Sequence, residues 1–168
     1  SQEGDLAPYD QIINGMTALP NPMAIGASWK PELATQVGSV LGKELSALGF
    51  NLLLGPPLDI LEPIYAENSE GLGTRTFGGD PFWVSRMGTA YIQGLHNGSE
   101  NRLAVIAKHF PGRGSADRPA EDEVATVRKT MDQMVEEDLV PFFSVTNGAL
   151  ESSQTADGFL VSHIRYQF

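Results

Sequence analysis

The sequence predicts an α/β fold in which helices alternate with parallel strands. Two observations carry this. Apolar residues recur at helical spacing in some stretches and form short unbroken runs in others, and the two kinds of stretch alternate along the 168 residues. The short runs also end abruptly on Pro, Gly or a polar residue, and loops follow them at the end where such folds keep their ligand groups. A (β/α)₈ barrel and a doubly wound sheet both satisfy this pattern.

Composition bounds the problem. A hydrophobic content of 41% with 19% charged residues describes a globular domain, or part of one, with enough apolar material for a core. Twenty-one acidic residues against 11 basic ones give a formal charge of −10, which argues against nucleic acid or an anionic membrane as a partner. No run is long enough to span a membrane. The absence of cysteine excludes disulfides, thiolate metal sites and a Cys nucleophile. It is compatible with a soluble, secreted or periplasmic setting and assigns none. The three histidines lack ligand spacing, so the sequence gives no metal site and asks for no cofactor.

The elements follow in order. Residues 1–30 read as a Pro- and Gly-rich lead-in with a helical turn at Tyr9–Met16. A helix is predicted over 31–48, where Leu33, Val37, Val40, Leu41, Leu45 and Leu48 keep helical spacing, Pro31 suits the first position and Gly49 the stop. Phe50–Leu54 reads as a buried strand broken by Gly55-Pro56-Pro57. After a long glycine-containing loop, Asp80 caps a helix over 81–97 begun by Pro81 and ended by Gly98. Leu103–Ala107 is the next strand. A third helical region follows, with Val127, Met131, Met134, Val135, Leu139, Val140 and Phe143 along one side and a break at Pro141. Gly158–His163 is the last strand.

The strand at 103–107 delivers Lys108 and His109 side by side and stops on Pro111, Gly112 and Gly114. Neither Pro nor Gly extends a strand well, so the pair is placed at a strand's C-terminal mouth. A charged pair behind a buried strand needs partners or a ligand. His163 ends the last strand in the same way. His96, near a helix end, reads as a dipole partner, Asp59 as an Asx-type turn former, and Trp29 and Trp83 as core residues.

Four stretches in order, Gln2-Glu3-Gly4, Gly55-Pro56-Pro57-Leu58-Asp59-Ile60, Arg75-Thr76-Phe77-Gly78-Gly79-Asp80-Pro81 and Lys108-His109-Phe110-Pro111-Gly112, resemble the N-terminal barrel domain of glycoside hydrolase family 3. The resemblance implies an α/β fold that is part of a TIM-type (β/α)₈ barrel, with residues 1–168 as a single incomplete domain cut at both ends, since such barrels need about 250 residues. It further implies an exo-acting, retaining β-glycosidase, a β-glucosidase or β-N-acetylhexosaminidase, whose partner is a small β-linked carbohydrate. Double displacement needs two carboxyl groups about 5 Å apart. The family's Asp nucleophile lies after the strand matching Gly158–His163, outside this chain, so no nucleophile is assigned.

What the resemblance carries over is a sugar-holding set of Arg75, Lys108 and His109, which His163 is expected to join. Two departures stand out. In the β-N-acetylhexosaminidase branch a histidine follows the Lys-His-Phe-Pro-Gly motif and another, on a mobile loop, serves as acid/base. Here Arg113 takes the first place and no histidine lies between Gly114 and Asp157. The loop offers Asp117, Arg118, Glu121, Asp122 and Glu123 instead. The family's Asp before the Gln-Glu-Gly-like stretch corresponds to Ser1.

Overall fold

A computed structural model describes residues 2, 3, 12, 14–62, 72–118, 124–146 and 149–167. Ser1, Gly4, the greater part of the turn expected at Tyr9–Met16, Gly71 and Glu121–Glu123 lie outside the described residues.

The chain runs through helix α1 (Pro22–Gly26), helix α2 (Pro31–Ala47), strand β1 (Leu52–Pro57), helix α3 (Pro81–Ser99), strand β2 (Ala104–Phe110), strand β3 (Thr126–Arg128), helices α4 (Met131–Glu136) and α5 (Val140–Ser144), strand β4 (Gly158–Val161) and strand β5 (Arg165–Gln167). Strands β1, β2 and β4 form a parallel three-stranded sheet with β2 in the centre. The alternation read from the sequence is therefore the alternation of this sheet and its helices, an arrangement that fits a sector of a (β/α)₈ barrel.

Leu53, Val105 and Ala107 point from this sheet into a core shared with Leu41 and Leu45 of α2 and with Val84, Met87, Ile92 and Leu95 of α3. Leu52 and Leu54, on the opposite face of β1, stay exposed. The two long helices pack through glycine. A Cβ on Gly42 would stand 2.3 Å from the carbonyl oxygen of Leu95, and one on Gly94 would stand 2.2 Å from that of Thr35.

Several boundaries differ from expectation. Strand β1 does not stop at Leu54 but runs to Pro57, since among the described residues it is paired on one side only and a proline on the other side forfeits no ladder bond. Helix α3 passes through Gly98, whose missing Cβ is needed against Ser39, and ends on Glu100 in the left-handed conformation. Strand β2 extends past Ala107 to Phe110, held by pairing with Leu160 and Val161. The third helical region is not one helix. Val127 belongs to β3, which pairs in parallel with β5 as a separate two-stranded sheet. Thr130 then caps α4, and Pro141 sits in the first turn of α5. Phe142, rather than Phe143, is the buried aromatic, closing a cluster with Phe110 and Phe159.

Candidate active site

The C-terminal end of β2 gathers charge. Lys108 is 3% exposed and Glu3 is 4% exposed. The Lys108 Nζ lies 2.5 Å from Glu3 Oε1, and the Nε of Arg75, at the end of a 3₁₀ turn over Gly73–Arg75, donates to Glu3 Oε2. One carboxylate thus holds two cations that are 33 positions apart in the chain. Burial pushes the Lys108 ammonium below its ordinary range, and Glu3 opposes that shift without cancelling it. Tyr91, buried on α3 beside the pair, is pushed well up by burial and by the charge of Glu3.

A second buried carboxylate orients the neighbouring residue. The His109 Nδ1 lies 2.9 Å from Asp59 Oδ2, and the backbone N–H of Arg113 donates to Asp59 Oδ1 at 2.8 Å. Burial would raise the Asp59 carboxyl, but the charge and hydrogen bond of His109 and the closeness of Arg113 outweigh it and hold the group below its usual value. For His109 burial wins. It lowers the imidazole despite Asp59, which keeps the ring neutral, with Nδ1–H donated to Asp59 and Nε2 left as an acceptor. The arrangement depends on a close approach. A Cβ on Gly114 would stand 1.8 Å from the carbonyl oxygen of Ile60, so only glycine lets the 111–114 turn lie on the segment that carries Asp59.

The structure therefore brings Arg75, Lys108 and His109 to one end of the sheet. His163 does not join them. It is exposed, two residues beyond β4, and makes no hydrogen bond or ion pair among the described residues. Its neighbour Ser162 binds the site instead, donating to the carbonyl oxygen of His109 at 3.0 Å. Asp59 is a buried acceptor from two partners and forms no Asx turn. His96 is buried between the carbonyl of Ser153 and the carboxylate of Asp157, at 2.8 and 3.0 Å, so its place is set by these bonds rather than by a helix dipole. Trp29 is 57% exposed, edge-on to the partly buried Trp83 at 4.9 Å.

Reading residues for chemistry overlooks the roles of Glu3 and Asp59. Their signal was present. A buried lysine demands a carboxylate, and an aspartate between Leu58 and Ile60 after a strand is poorly placed for solvent.

Beside this centre lies a cleft of about 440 Å³, lined in part by Glu62, Ser115, Lys129 and Glu137. Lys129 Nζ meets Glu62, Glu137 and Asp138 at 2.7, 2.9 and 2.7 Å. These partners lift the ammonium well above its ordinary range in spite of burial, and burial raises the Asp138 carboxyl. Among the described residues no cluster of His, Asp or Glu has the arrangement of a metal site.

Known proteins resemble this chain in sequence and in fold. The chain is 32% identical over 135 residues to a beta-hexosaminidase of Hydrogenovibrio crunogenus, covering 80% of this chain and 34% of that protein. It is 30% identical over 162 residues to a beta-hexosaminidase of Xylella fastidiosa, covering 93% and 44%. The chain thus spans less than half the length of the curated relatives it matches. Among solved structures it is similar to a glycoside hydrolase family 3 beta-N-acetylglucosaminidase from Paenibacillus, with a TM-score of 0.82 and 29% identity over 93% of this chain and 27% of that one. It is also similar to NagZ from Neisseria gonorrhoeae, solved in complex with N-trifluoroacetyl-D-glucosamine, with a TM-score of 0.81 and 28% identity over 94% and 44%. The family model described as the glycosyl hydrolase family 3 N terminal domain matches residues 6–167, and the chain belongs to that family.

Proposed function

We propose that residues 1–168 are the sugar-holding part of a longer exo-acting, retaining β-glycosidase that removes terminal N-acetyl-β-glucosaminyl or β-glucosyl units. The observation that carries this reading is the pair of buried carboxylates, Glu3 and Asp59, that hold Arg75, Lys108 and His109 together at the end of β2. A sugar presents hydroxyls in fixed directions. Arg75 and Lys108 donate to hydroxyl oxygens, and the neutral His109 accepts a hydroxyl proton at Nε2, so the three fix the ring's orientation. Because Glu3 and Asp59 already hold these side chains, little rotamer freedom is lost when the sugar arrives.

The carboxylates that break the bond are assigned to none of these residues. Glu3 and Asp59 serve to hold Arg75, Lys108 and His109, and neither is assigned as the nucleophile. The nucleophile is assigned to the portion of the relatives' length that this chain does not span. Expression of the full-length protein and assay of aryl N-acetyl-β-glucosaminide and aryl β-glucoside tests this. Turnover of at least one, with retained anomeric configuration, is expected, and a folded protein that turns over neither contradicts it.

A second reading, a sugar-binding relative without catalysis, is favoured by the lack of any histidine between Gly114 and Asp157. Binding of N-acetylglucosamine without turnover of either substrate would select it.

A further inference from the structure

Among the described residues the carboxylates of Glu3, Asp59 and Asp138 each pair with another side chain, while Asp138 Oδ1 and the Arg113 guanidinium are left without a hydrogen-bond partner. Glu3 gives one oxygen to Lys108 and the other to Arg75. Asp59 gives Oδ2 to His109 and Oδ1 to the backbone of Arg113, not to its guanidinium. Asp138, packed beneath Gly112, is held by Lys129 at 2.7 Å and makes no ion pair with Arg113. Among the described residues the Arg113 guanidinium has no hydrogen bond and no ion pair, and its Nε is buried without a partner. A guanidinium N–H withdrawn from water and left without an acceptor is costly, so a structural arginine is normally paired. Its charge nonetheless acts on this centre, lowering both His109 and Asp59.

Among the described residues Arg75, Lys108 and Arg113 stand at this end of β2 against Glu3 and Asp59, Asp138 being held by Lys129, in a chain whose formal charge is −10. A local positive field in an acidic protein favours an anion at that place. We infer that Arg113 recognises a carboxylate carried by the substrate, on the terminal sugar or its leaving group, and so sets which β-glycosides the site prefers. The inference rests on the sugar-binding role proposed above. A planar guanidinium takes a carboxylate through two parallel N–H···O bonds, which supplies the acceptor that Nε lacks. Arg113 follows directly on the Lys108–Gly112 segment and is tied through Asp59 to His109, so the carboxylate would lie within one sugar unit of the ring that His109 orients.

The test uses the full-length protein and two matched pairs, 4-nitrophenyl β-glucuronide against β-glucoside, and 4-carboxyphenyl against phenyl N-acetyl-β-glucosaminide. The readout is the ratio of kcat/KM within each pair. The wild type is expected to favour the carboxylated member of at least one pair, and added salt should erode that preference. Arg113→Gln should lower the ratio about tenfold or more, with much of it kept in Arg113→Lys. A wild type that disfavours both carboxylated members, or a ratio unchanged in Arg113→Gln, overturns the inference. Should Arg113→Gln fail to fold, the salt dependence of the wild-type ratio decides. If none of the four substrates is turned over, the hydrolase reading fails by itself. Calorimetric binding of glucuronate against glucose, with the same variants, then decides the role of Arg113, since a preference for glucuronate lost in Arg113→Gln supports it and indifference overturns it.

Discussion

Lys108 is almost completely withdrawn from water, and an ammonium so placed persists only beside a carboxylate. Glu3 supplies that carboxylate and serves Arg75 with its other oxygen. Glu3→Ala in the full-length protein therefore strands two cations, and breaking a buried pair in this way costs about 3–5 kcal/mol. Urea denaturation of wild type and variant checks the value, and a loss below about 1 kcal/mol would show that the triad is not a structural support. His109 adds a pH dependence. Its folded pKa lies below the ordinary 6.5, so as pH falls through that value the unfolded ring takes up a proton before the folded one does. The unfolded state then binds more protons, and stability drops from about pH 6.5 downwards while being flat above it. Asp59, held below 3.8, adds a further loss at more acid pH. Melting temperature followed from pH 8 to 5 should fall less steeply in His109→Gln than in wild type, and parallel curves would refute the assignment. Lys108 and His109 were legible because they stand directly after an apolar run and before strand-breaking residues, whereas Arg75 was pointed to only by the family resemblance. Glu3 and Asp59 were legible only as a demand, a buried lysine needing some carboxylate and a buried aspartate some donor, because which residues meet is decided by tertiary contacts 105 and 50 positions away.

Helices α2 and α3 show how an element's sequence is fixed by its neighbour. Glycine ordinarily weakens a helix, and replacing it by alanine at an open position stabilises by roughly 0.5–1 kcal/mol. At Gly42 and Gly94 the added methyl would meet backbone carbonyls of the facing helix at 2.3 and 2.2 Å, and backbone cannot rotate away as a side chain can. Gly94→Ala is expected to destabilise by about 1–3 kcal/mol, the cost of overpacking, reversing the sign of the propensity effect. Chemical denaturation checks this, and a more stable variant would contradict the close packing. The same contact explains why Gly98 did not stop α3. From the sequence alone a glycine near a helix end reads as a terminator, whereas here it is a seam residue against Ser39. The 31–48 helix was legible to one residue because Pro31 and a long apolar stripe agree. The 124–143 region was not, because its apolar residues divide among a strand, two short helices and a turn, each too brief to establish a period of its own.

At the scale of the molecule, β1 and β4 each have one strand neighbour among the described residues, and Leu52, Leu54, Leu160 and Val161 of these two strands are exposed. Leu52 is 51% exposed and Val161 is 67% exposed, although both lie in strands. Unpaired edges beside exposed apolar residues invite association. The 168-residue chain on its own is therefore expected to self-associate or to bind a hydrophobic dye strongly. A sharp, cooperative thermal transition of a monomer would show this wrong. The alternation of elements made the α/β class legible. The barrel came from the resemblance, since three strands are equally compatible with an open sheet. The central claim is that Arg75, Lys108 and His109 receive the terminal sugar. The most direct test is a crystal structure of the full-length protein with bound N-acetylglucosamine. The account predicts sugar hydroxyls within hydrogen-bonding distance of Lys108 and His109, with the His109 Nε2 as an acceptor. A sugar seated away from both, for instance in the cleft beside Glu62 and Lys129, would contradict it.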